Sequence, residues 1–204
     1  MDYIDPVREQ RLIELIANDP SIIVIFKNKF ISDNMWKVAI ENEPSLFQYM
    51  KQPSEEMILF ALNEDGANVK YLEEMGVQMT PRMIYTAVKN YPGAIYLIPE
   101  SYRSNRLKEF ACMEDPSLMR DLSLKSHFIE GRLRKDPTLV RFLQSPTEDQ
   151  LCNAIRHDPN VCVYIEHFTP RIKALVKELY PEIIPLIPRL NNEFKQTNEE
   201  QTSD

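Results

Sequence analysis

The segment Met35-Trp36-Lys37-Val38-Ala39-Ile40-Glu41-Asn42-Glu43-Pro44-Ser45-Leu46-Phe47-Gln48-Tyr49-Met50 contains one complete structural unit. Its first half reads as a helix of about nine or ten residues, with a small residue, Ala39, beside a bulky one, Ile40, near its end. Glu43-Pro44 then breaks the chain. The second half places apolar side chains two, three, five and six residues after the proline, at Leu46, Phe47, Tyr49 and Met50. That is the buried face of a short second helix, with one polar gap at Gln48.

The same arrangement recurs along the chain. Pro20, Pro44, Pro92, Pro116, Pro137, Pro159 and Pro181 mark successive units, with Gly66 in the one place where proline is missing, and the spacings are 24, 22, 26, 24, 21, 22 and 22 residues. A period in the twenties indicates small units that bury their apolar faces against their neighbours. Asp19, Glu43, Asp65, Asp115, Asp136 and Asp158 precede these breaks. Aspartate is a preferred helix N-cap and proline suits the first helical position, so Asp-Pro ends one helix and begins the next. Ala39, Ala61, Ala87, Ala111 and Ala154 lie five residues before the break; Ile16, Ile40, Leu62, Val88, Leu133 and Ile155 lie four before it. A small residue next to a bulky one, once per unit, suits a close approach of adjacent helices. Ser54, Thr80, Thr169 and the pair Thr147 and Gln150 then cap the first helix of the following unit.

These signals predict an all-α protein, an α-solenoid of about eight short helix-turn-helix repeats over residues 1–194, followed by a disordered polar tail over 195–204. Tetratricopeptide and ankyrin units need about 33 residues and armadillo or HEAT units about 40 or more, so the period excludes them. Stretches such as Ser54 to Gly66 and Ala87 to Ile95 resemble short helical-hairpin repeats of unknown function found in bacteriophage, large-virus and bacterial proteins. The resemblance is clearest over residues 35–100 and weaker over 107–194. It implies an all-helical array and a phage or bacterial origin, and it brings no catalytic residues with it.

Charge narrows the function. The 204-residue chain carries a net charge of −7, which disfavours non-specific nucleic-acid binding. Met1-Asp2-Tyr3-Ile4-Asp5 lacks the basic and apolar regions of a signal peptide, and the apolar run Ile22 to Phe26 is far shorter than the roughly 20 residues of a membrane helix. With three cysteines, the expected compartment is a reducing cytoplasm, the host's if the protein is viral.

Cys152, His157, Cys162 and His167 stand at intervals of five, but Cys152 and Cys162 read as core residues and the histidines as surface ones, so no metal site is expected. No phosphate loop, nucleophile elbow or metalloprotease helix is present, and neither a catalytic role nor a cofactor is expected. The polar gap four residues after each break holds Val24, Gln48, Lys70, Tyr96, Arg120, Arg141, Val163 and Pro185. Gln48, Lys70, Tyr96, Arg120 and Arg141, extended by Arg103 and Arg106, form the expected partner-binding face, suited to an acidic protein surface. A phage protein that occludes a host protein fits this pattern; a nucleic-acid-reading helical repeat is the alternative. Two units depart from the pattern. Asp121 occupies a position expected to be core, and Gly131-Arg132 falls where alanine is expected, which points to a kink, an outside contact or decay of the repeat.

Overall fold

In the computed structural model, residues 5–26 and 31–201 are described, with side chains as far as 194. All regular structure among them is helical, and no strand is present. The chain forms two compact units, Met1–Asp115 and Pro116–Asp204, which divide inside the fifth repeat, just before the irregular segment.

The first unit contains α1 (Pro6–Asn18), α2 (Asp33–Asn42), α3 (Glu55–Glu64), the single turn α4 (Tyr71–Glu74), α5 (Pro81–Asn90) and α6 (Asn105–Glu114). The second contains α7 (Ser126–Lys135), α8 (Glu148–His157), α9 (Pro170–Leu179) and α10 (Pro188–Gln201). α10 continues beyond Lys195, where the apolar pattern stops; the side chains of 195–201, and residues 202–204 altogether, lie outside the described residues.

The second element of each repeat is a 3-10 turn, not an α-helix. These turns span Pro20–Ile25, Pro44–Tyr49, Gly66–Lys70, Pro92–Tyr96, Pro116–Arg120, Pro137–Phe142, Pro159–Tyr164 and Pro181–Leu186. Except at Tyr180, each α-helix before a turn ends on a residue with ψ between 88° and 113°, such as Asp136 at φ −141°, ψ 94°, which then serves as N-cap of the turn. The carboxylates of Asp19, Asp65, Asp136 and Asp158 accept a hydrogen bond from the N–H two residues on. Aspartate therefore closes a local turn while proline supplies the fixed φ for the next residue. Ser54, Thr80, Thr147 and Thr169 cap α3, α5, α8 and α9 as expected, and Thr147 with Gln150 completes a capping box. Ser32 and Ser104 cap α2 and α6 in the same way.

The alanines have a double role. Ala39, Ala61, Ala87, Ala111 and Ala154 are buried, and their carbonyls accept the N–H of the residue that ends the helix. Their bulky partners Ile40, Leu62, Val88 and Ile155 are buried as well. Arg132 replaces the alanine in α7. Its carbonyl keeps the bond to Asp136 at 2.9 Å, but its Nε is buried without a hydrogen-bond partner.

Within each unit, elements in substantial contact belong to one repeat or to consecutive repeats. In the first unit α1, α2, α3, α5 and α6 adjoin in succession, and in the second α7, α8 and α9; the turns from Pro20–Ile25 to Pro92–Tyr96 and from Pro116–Arg120 to Pro159–Tyr164 adjoin in the same way. Polar contacts follow the same spacing. The Ser32 hydroxyl that caps α2 donates to Glu9 on α1, and the Thr169 hydroxyl that caps α9 donates to Glu148 on α8. Tyr180 donates to the carbonyl of Arg156 at 2.9 Å, and Arg189 to that of Ile165 at 3.2 Å.

The longest spacing, from Gly66 to Pro92, also has a local cause. The turn at Gly66–Lys70 runs on into α4, and Gly76 ends it at φ +69°, a conformation glycine adopts without a Cβ penalty.

Candidate functional site

Counted from each proline or from Gly66, positions +2 and +3 are buried in the six central repeats. Position +4 is exposed in all eight, at Val24, Gln48, Lys70, Tyr96, Arg120, Arg141, Val163 and Pro185. Position +5 departs from expectation. Tyr49, Tyr164, Leu97, Ile25 and Leu186 are exposed and Phe142 is half-buried, whereas the sequence pattern assigned this position to the core. A 3-10 turn has about three residues per turn, which stacks +3 with +6; +5 lies at or just past the end of the turn, where its side chain leaves the face that +2 buries. Asp121 is for the same reason not a charge in the core: it occupies +5 and is exposed.

The turns therefore display paired side chains, including aromatics at a position the apolar pattern predicts to be core. In the first unit, Lys70 Nζ stands 4.7 Å from the centre of the Tyr71 ring. Gln48 folds back to donate to the carbonyl of Ser45, and Tyr96 is 42% exposed. In the second unit the Arg141 guanidinium lies 4.6 Å from the centre of the Phe142 ring and 5.4 Å from that of Tyr164, one repeat later. Arg141 Nη1 also donates to the Tyr164 hydroxyl at 3.3 Å. A cation over an aromatic face is held electrostatically and keeps its outer donors available.

The flanking arginines differ. Arg103 is committed to its own segment: Nε donates to the Ile98 carbonyl at 2.7 Å, Nη2 to that of Tyr96 at 3.1 Å, and Nη1 pairs with Glu100 at 3.0 Å. Lys108 joins Glu100 at 3.1 Å, and that hydrogen bond chiefly holds the Glu100 carboxyl below its ordinary range. Arg106 is exposed on α6.

Two clefts open in the second unit. One, of about 490 Å³, lies between α7 and α8 and mixes Glu130, Arg134, Asp149 and His157. The other, of about 470 Å³, brings together the expected residues Arg120 and Arg141 with Tyr164, Glu166 and His167 over Val140, Leu143, Leu151 and Ile165. The second is the candidate site, since charge, aromatic surface and an apolar floor converge there.

Among the described residues, no three His, Cys, Asp or Glu side chains gather as metal ligands would. Cys152 and Cys162 are buried free thiols, and desolvation raises Cys162 to about 11. His157 is exposed, and its Nδ1 is bonded to the carbonyl of Asn153 at 2.8 Å. No helix among the described residues is long and apolar enough to cross a membrane. No family model, curated protein or solved structure matches the chain.

Proposed function

We propose that the chain is an α-solenoid of about eight short hairpins that recognises another protein without catalysis, using the side chains at +4 and +5 of its 3-10 turns. Contacts confined to one repeat or to consecutive repeats support the solenoid reading, since a stacked array needs only neighbours. The observation that carries recognition is the pairing of exposed cations with aromatics at the surface, Lys70 with the half-buried Tyr71 and Arg141 with the half-buried Phe142 and the exposed Tyr164. Arginine and tyrosine are enriched among residues that dominate binding energy, and a stacked cation loses little freedom on binding. Covering a partner's surface would inhibit it. The resemblance to phage repeats makes a host protein the natural target.

Affinity capture with the intact chain tests the reading. The wild type should retain a partner that Lys70→Glu/Arg120→Glu/Arg141→Glu releases while its circular dichroism is unchanged. Equal capture by both proteins would remove these residues from the interface. The nucleic-acid alternative predicts binding to labelled oligonucleotides that weakens steeply with salt.

A further inference from the structure

We infer that the cleft containing Arg120 and Arg141 receives an acidic side chain of a peptide segment, with an apolar neighbour of that side chain seated on the cleft floor. The inference deepens the protein-binding reading and rests on it. Arg120 is exposed and has neither a hydrogen bond nor an ion pair among the described residues. Its charge is available. Arg141 is the opposite case: two rings and one hydroxyl fix its plane, and its one hydrogen bond among the described residues uses Nη1. A guanidinium has five N–H donors in a fork that matches a carboxylate, so a clamped arginine with donors to spare is already oriented for one.

The floor supplies the second half of the recognition. Val140 and Ile165 are buried core residues whose edges reach the cleft, giving an aliphatic or aromatic side chain an apolar seat. Charge separates peptide from nucleic acid. Two arginines face one carboxylate, Glu166, so the arginine and carboxylate side chains of the lining leave an excess of one positive charge. That balance suits a single carboxylate. A phosphate backbone would bring repeated charges toward Glu166 and a chain of net charge −7.

The test is selection of short random displayed peptides on the full chain, with Arg120→Glu/Arg141→Glu as the counter-selection protein and Lys177→Glu, on α9, as a charge-matched control. Circular dichroism verifies each variant, and Arg120→Glu alone is carried in parallel because Arg120 supports no other residue. The expected result is enrichment of peptides with Asp or Glu next to Phe, Leu or Trp. Their affinity should fall at least about tenfold in the double variant, more than threefold in Arg120→Glu, and remain unchanged in Lys177→Glu. Selected peptides that bind the double variant equally well, or that lack acidic residues, overturn the cleft assignment and leave protein binding standing. Selection of no peptide, with salt-sensitive binding of oligothymidylate, overturns both.

Discussion

A Cβ built on Gly66 would stand 2.2 Å from the carbonyl oxygen of Ala87 in the next repeat. The Gly66 N–H donates to Asn90 Oδ1 at 2.7 Å, and the Asn90 amide donates in turn to the carbonyl of Asn63. Proline fails here on both counts, because it carries a side chain and lacks the donor. The one gap in the proline series is therefore a point where two repeats approach closely through backbone. Gly66→Ala should destabilise the protein by about 2 kcal/mol, since the obstructing atom is backbone and cannot turn aside. Urea unfolding measures the loss, and a midpoint equal to wild type would refute the close approach.

Gly131 presents the contrasting case. It sits inside α7, and an added Cβ meets nothing within 4 Å. Gly131→Ala should stabilise the chain by about 1 kcal/mol through helix propensity alone. The same denaturation series checks the sign.

Asn68 is 1% exposed, and its amide donates to the carbonyls of Ala61 at 3.0 Å and of Pro44, in the preceding repeat, at 3.1 Å. Asn68→Leu should cost about 2 kcal/mol by removing both bonds. Asn68→Asp should cost more, because a carboxylate cannot donate and would face two carbonyl oxygens. A smaller loss for the aspartate variant would contradict this hydrogen-bond assignment.

Burial raises the Cys162 thiol from an ordinary 9.0 to about 11. A group whose folded pKa lies above its unfolded value contributes stability below the unfolded value and loses it as pH climbs through the folded one. The wild type should therefore lose stability between pH 9 and 11 more steeply than Cys162→Ala. Parallel guanidinium titrations across that window provide the comparison.

The helices, their caps and the alanine positions were legible because each is a local signal: a hydroxyl at the start, a small residue near the end, Asp-Pro at the break. Position +5 was not. Leu46, Phe47, Tyr49 and Met50 fit an α-helical face, but the segment closes as a 3-10 turn and Tyr49 points to solvent. Tyrosine at +5 in Tyr49, Tyr71 and Tyr164 was the available clue, since its hydroxyl suits a surface better than a core. Asn68 and Asn90 were out of reach for a different reason. Their partners lie about one repeat away, and a single sequence carries no mark of such a pair. At the candidate site, the charges of Arg120 and Arg141 were legible, while the clamp of Arg141 by Tyr164 depends on the stacking of turns.

The recognition face itself is open to hydroxyl-radical footprinting of the chain with and without its captured partner. Tyr49, Leu97 and Tyr164 on the turns, and Leu15, Met113 and Leu179 on the α-helices, are all exposed enough to react in the free protein. Protection of Tyr164, with Tyr49 or Leu97, and undiminished labelling of the three helical residues is the expected outcome. Protection of Leu15, Met113 or Leu179 with the turns still fully reactive would contradict it.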